Sequence, residues 1–155
     1  RTKPLFIMAG GGTMYKKILI PLDNSATDET ILTHIRAQAK CCKAALVLVH
    51  VADGFAARTQ EQLNLVDSEE INKDRAYLER LSLELTSEGF LVKHYLLKGD
   101  PVSGIVRIAQ EEGCDLIAMA THGHRFLLDW ILGSVADGLR HKVDIPIMMI
   151  RAHRK

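Results

Sequence analysis

The residues best suited to chemistry lie late in the chain: Ala120-Thr121-His122-Gly123, a nine-residue interval, then Gly133-Ser134. Glycine at 123 and 133 lets backbone amides approach an anion with no Cβ in the way. A helix beginning at Gly133-Ser134 would present unsatisfied N–H groups and a partial positive charge, a ready receptor for phosphate, and Ser134 adds a hydroxyl donor. An earlier tract, Gly10-Gly11-Gly12-Thr13, imitates a phosphate loop, but no Gly-Lys follows at the spacing a Walker loop needs. By residue type alone, the later segment is either an anion or nucleotide site or a pair of turn glycines.

Other candidates are weaker. Asp23 follows an apolar run and Pro21, placed either to take a metal ion or a nucleotide hydroxyl or to serve the turn before a helix. His122 and His124 are too close in sequence to share a helical face, and no acidic or Cys partner stands beside them to complete a metal site. Cys41, Cys42 and Cys114 contain no Cys-x-x-Cys pair, so they read as reduced thiols of a cytoplasmic protein. Phe126, Leu127, Leu128, Trp130, Ile131 and Leu132 crowd the interval between the glycines, either as local packing or as a partner surface.

The elements that must position these residues are legible from periodicity. Lys17–Pro21, Ala45–Val51, Phe90–Leu97, Asp115–Ala120 and Ile145–Arg151 are apolar, β-rich runs and read as strands. Between them, Ile31, Leu32, Ile35 and Ala39 share one helical face, with Ser25 and Asp28 resembling a capping box. A longer helix from Asp67 carries Ile71, Leu78, Leu81 and Leu85 and stops at Gly89. Asp100-Pro101 starts a third helix, striped by Val102, Ile105, Val106 and Ala109 and ended by Gly113; Ser134–Lys142 is the fourth. His50 and the stripe of the second helix read as core. Strands alternating with helices, with no hairpin signal, imply a parallel sheet in a three-layer α/β/α sandwich. Two connections are long, Ala52–Val66 and His122–Leu132.

Composition excludes several classes. Of 155 residues, 47% are hydrophobic and 25% charged, the balance of a soluble globular domain rather than a disordered or collagen-like chain. Twenty basic against nineteen acidic residues leave a net charge of +1, so there is no electrostatic reason to expect nucleic acid. The longest apolar runs, 44–52 and 145–150, fall far short of the ~20 residues a membrane span needs, so no membrane insertion is expected. Residues 1–13 break the pattern and are read as an expression remnant or N-terminal extension; 14–155 form one domain. Without Arg1 and Lys3 the domain carries 18 basic and 19 acidic residues. A near-neutral domain must bind a polyanion through local amides, not through its overall field.

In such sheets, ligands sit beyond the carboxyl ends of strands. The segment 120–134 found there resembles the Gly-x-x-Gly-x9-Gly-Ser/Thr motif of the ATP-binding universal stress proteins. Met14-Tyr-Lys-Lys-Ile-Leu-Ile-Pro-Leu-Asp, Val-His-Val at 49–51 and Ile-Pro-Ile-Met-Met-Ile at 145–150 agree with that family, over Met14 to about Arg151. The resemblance implies the adenine nucleotide alpha-hydrolase-like fold, with a five-stranded parallel sheet ordered 3-2-1-4-5. It places Pro21, Leu22 and Asp23 beside the adenosine and the backbone of Val51 at the adenine. Met119, Ala120, His122 and Gly123 match the fourth-strand turn, and Gly133, Ser134, Val135 and Ala136 the phosphate-binding helix start. Ala120 departs from the motif's first Gly, adding a methyl and disfavouring positive φ. The resemblance also implies a homodimer joined through the last strand.

The leading expectation is therefore a dimeric, nucleotide-binding stress or regulatory protein, with ATP, with or without Mg²⁺, as a structural or signalling ligand whose binding biases a surface recognised by a protein partner. The alternatives are a slow Mg²⁺-dependent ATP hydrolase helped by Asp23 with Arg125 or His124, and a nucleotide-free interaction module disabled by Ala120.

Overall fold

Short apolar, β-rich runs and segments with a 3.6-residue period alternate along the chain, and they fold as strands and helices respectively. The structure, a computed structural model, describes residues 14–52, 69–121 and 129–152. In chain order these form β1 (Lys17–Leu22), α1 (Thr27–Cys42), β2 (Ala45–Ala52), α2 (Glu69–Ser87), β3 (Val92–Lys98), α3 (Pro101–Glu112), β4 (Leu116–Thr121), α4 (Asp129–Arg140) and β5 (Ile147–Arg151). The strands make one sheet ordered β3-β2-β1-β4-β5, and every pairing is parallel. The expected order and layering are both present.

Side chains alternate across a strand, so a sheet covered on both faces needs two cores. Ile18, Ile20 and Leu22 of β1 join Leu46 and Leu48 of β2 against Ile31 and Ile35 of α1 and Leu78 and Leu85 of α2. Leu19, Val47, Val49, Ile117 and Met119 face the other way, onto Ile105 and Ile108 of α3 and Val135 and Leu139 of α4. Truncating a fully buried member such as Leu48 to Ala costs ~2–5 kcal/mol by lost transfer energy and the cavity left behind.

Local signals act largely as read. Asp100 caps α3, its Oδ2 accepting from Ser103 N at 2.8 Å, with Pro101 first in the helix; Gly113 ends it at φ 65°. Lys43 takes the same left-handed role after α1, at φ 54°.

Several expectations are corrected. Ser25 is not the N-cap of α1: the cap position is Ala26, with no side-chain bond. Asp28, inside the first turn, instead reaches back to the amides of Asp23 and Asn24. The last helix begins at Asp129, not Ser134. In the sequence, apolar residues recur at helical spacing ahead of Val135, Ala136 and Leu139, and the helix runs back with them. β3 begins at Val92 rather than Phe90, because Phe90 N is spent closing α2 on Leu85 O at 3.2 Å. β5 begins at Ile147 rather than Ile145, after Pro146, which has no N–H to give. Residues 1–13, Asp67 and the connections 53–68 and 122–128 lie outside the described residues.

Candidate functional site

The sheet reverses its winding between β1 and β4, and β1 contributes the feature that opens that point. Lys16 O accepts from Ala45 N on the β2 side at 2.9 Å, and Lys17 O accepts from Asp115 N on the β4 side at 3.0 Å. Alternation along the strand then directs Ile18, Ile20 and Leu22 toward β2, and Leu19 and Pro21 toward β4. Pro21 therefore faces β4 with no N–H to offer. The registers agree: β1 pairs with β2 through Leu22 with His50, but with β4 only at Ile18 with Leu116 and Leu19 with Ile117. The ladder between the two central strands stops short of their carboxyl ends, and that is where ligands of open parallel sheets bind.

At the carboxyl end of the sheet the structure places Pro21 and Leu22 at the end of β1, Asp23 just after it, Val51 in β2, and Met119 and Ala120 in β4. Met119 and Ala120 are buried on opposite faces of the sheet, so what they can present to a ligand is backbone. The Ala120 methyl sits in the core. Asp23 Oδ1 accepts from Ser25 N at 3.1 Å and so serves the turn.

The α4 side differs from expectation. Gly133 and Ser134 lie in the second turn of the helix, so the first-turn amides belong to Asp129–Leu132. Ser134 is exposed, Val135 is buried in the core beneath the sheet, and Ala136 packs on that core. His122, Gly123 and His124 fall outside the described residues. Among the described residues no three His, Cys, Asp or Glu side chains are grouped to hold a metal ion.

One cluster was not visible as a site in the sequence. Beneath the β1–α1 turn, His50 Nδ1 lies 2.7 Å from Leu22 O and its Nε2 2.9 Å from Asp74 Oδ2. A carbonyl only accepts, so Nδ1 carries hydrogen, and a proton between Nε2 and Oδ2 closes the second bond. Asp74 Oδ1 accepts from the Asn24 side chain at 3.0 Å. Asp28 takes the amides of Asp23 at 3.2 Å and Asn24 at 2.8 Å, and Tyr77 donates its hydroxyl to Asp28 Oδ2 at 2.8 Å. Burial, and next the neighbouring Asp23 carboxylate, push Asp28 up to about 7, against the pull of the Tyr77 hydroxyl. Burial and the Asp28 charge raise the Tyr77 phenol in turn, so it stays a donor. The available signal was Asp74 standing on the buried stripe of α2, between Ile71 and Leu78.

The cysteines carry no such chemistry in the described structure. Cys41 and Cys42 end α1, and burial lifts the Cys114 thiol to about 11, away from a reactive thiolate.

A parallel sheet with helices on both faces, its central ladder stopping short at the switch point, defines a doubly wound α/β protein, a class whose ligands bind beyond the carboxyl ends of the strands. Comparison with known proteins then gives the family. The profile of the Universal stress protein family matches residues 14–151, and the chain belongs to that family. It is 31% identical to Universal stress protein MJ0577 of Methanocaldococcus jannaschii, over 89% of this chain and 96% of that one. The solved structure of MJ0577 superposes with a TM-score of 0.77 at 33% identity, covering 91% of this chain and 99% of that one. A universal stress protein of Archaeoglobus fulgidus solved in complex with dAMP shares the fold, with a TM-score of 0.64 at 22% identity over 88% and 98% of the two chains.

Proposed function

We propose that this protein binds an adenine nucleotide, ATP foremost and with or without Mg²⁺, at the carboxyl ends of β1, β2 and β4, and acts as a regulatory stress-response protein. The observation that carries the reading is the opening of the β1–β4 ladder by Pro21. Pro21, Leu22 and Asp23 would flank the adenosine and the Val51 backbone the adenine. Met119, Ala120, His122 and Gly123 would form the turn under the phosphates. Gly133, Ser134, Val135 and Ala136 lie further along α4 than a helix-start cradle requires. Their part is then to shape and pack the helix whose first-turn amides meet the phosphates, with the Ser134 hydroxyl reaching from the second turn. The dAMP complex of the Archaeoglobus protein supports an adenine nucleotide as a ligand class this fold accepts.

Bound nucleotide stabilises the folded form by RT ln(1 + [ATP]/Kd), about 2.7 kcal/mol at a hundredfold excess over Kd. A homodimer through β5 belongs to the same reading. β5 is a sheet edge, and its Met149 is 57% exposed. The test is mass spectrometry of the heat-extracted supernatant of the purified protein. Adenine nucleotide in near-stoichiometric amount is expected. A nucleotide-free protein that gains no thermal stability in millimolar ATP would favour the interaction-module reading instead.

A further inference from the structure

α2 sends two side chains, one helical turn apart, into the underside of the β1–α1 turn. Asp74 holds it from one side, through the Asn24 side chain and through His50 to Leu22 O. Tyr77 holds it from the other, through Asp28 to the amides of Asp23 and Asn24. The residue gripped, Asn24, is in the left-handed region at φ 58°, which asparagine tolerates better than most side chains, so the hydrogen bonds and not strain hold the turn. Asp74 and His50 are both buried, and each polar atom engaged has a stated partner. Such networks are stiff when complete and costly when one member is removed.

We infer that Asp74 and Tyr77 are positioning residues of the nucleotide site, fixing Leu22 and Asp23 at the mouth without touching the ligand. The inference rests on the nucleotide reading above. It explains why an acidic residue occupies the buried stripe of α2: a leucine there would pack, but it would release the turn. It also makes the position of α2 and the geometry of the ligand mouth one coupled variable.

Two substitutions separate positioning from general stability. In Asp74→Asn the introduced amide can accept from the Asn24 side chain and donate to Nε2 of a neutral His50, so every bond survives. In Asp74→Leu both are lost. ATP affinity is measured by calorimetry on nucleotide-free protein, well below the unfolding temperature, alongside amide hydrogen exchange at Asn24 and Ser25. Asp74→Asn is expected to bind within about threefold of the parent, and Asp74→Leu at least about tenfold more weakly with faster exchange at the turn. If Asp74→Leu does not fold, Asn24→Gly removes the same bond from the turn side with a residue that accepts positive φ. It too is expected to weaken binding severalfold. Parent protein that binds while Asp74→Leu or Asn24→Gly binds equally well overturns the inference alone. Parent protein that binds no nucleotide overturns the reading it rests on.

Discussion

Raising the pH from about 4 to about 7 is predicted to destabilise this protein through one carboxyl group. Asp28 has an ordinary value of 3.8 in the unfolded chain, and burial together with the Asp23 charge moves it to about 7 in the fold. The native state thus keeps a proton that the unfolded chain has already released. The stability this contributes is complete below the unfolded value and is lost as pH rises through the native one. At ~1.4 kcal/mol per pH unit the gap sets a ceiling of about 4 kcal/mol. Asp28→Asn removes the titration but turns an amide N–H toward one of the three donors that Asp28 accepts, costing ~1–3 kcal/mol. The variant is therefore expected to be less stable than the parent near pH 4 and more stable near pH 8, the two curves crossing between. Urea unfolding followed by circular dichroism at half-unit pH steps measures the difference. Glu112 works in the opposite sense. The Tyr95 hydroxyl and Lys93 hold it down to about 2, so its contribution is present above 4.5 and lost from there toward pH 2, equally in parent and variant. Parallel curves for parent and variant from pH 4 to 8 would refute the burial argument for Asp28.

Two further outcomes follow from packing and burial. A Cβ on Gly138 of α4 would lie 2.8 Å from Val102 Cγ2 of α3. Because valine is stiff at χ1, Gly138→Ala is expected to lose ~1–3 kcal/mol to overpacking despite a helix-propensity gain of about 1 kcal/mol, read as a lowered urea midpoint. Of the three thiols, exposed Cys41 is expected to react first with an alkylating reagent at pH 8, and buried Cys114 only on unfolding. Equal rates at both in the folded protein would contradict that assignment.

The fold was legible because its signals are local and repeated. Ile71, Leu78, Leu81 and Leu85 announce α2 by their period, whereas the Ile18–Ile20 run reads as a buried strand from its shortness and the punctuating Pro21. Helix ends were less so, since α4 follows its apolar stripe back past Gly133 to Asp129, and a glycine seen in sequence does not say which turn of a helix it occupies. The strand-end residues of the site were readable from Pro21-Leu22-Asp23. The reason Pro21 matters was not, because which neighbour a strand residue faces is settled only by the register. The network of Asp28, His50, Asp74 and Tyr77 joins residues up to 49 positions apart, and no local spacing encodes such a meeting.

The proposed function puts an adenine nucleotide at the carboxyl ends of the central strands. Adding ATP to isotope-labelled, nucleotide-free protein and mapping the amide resonances tests it most directly. Saturable shifts are predicted at Leu22, Asp23, Val51, Ala120 and Thr121, with Lys17, Ala45 and Leu116 at the opposite end of the same strands unmoved. Spectra unchanged in millimolar ATP, or shifts gathered at the amino ends of the strands, would contradict it.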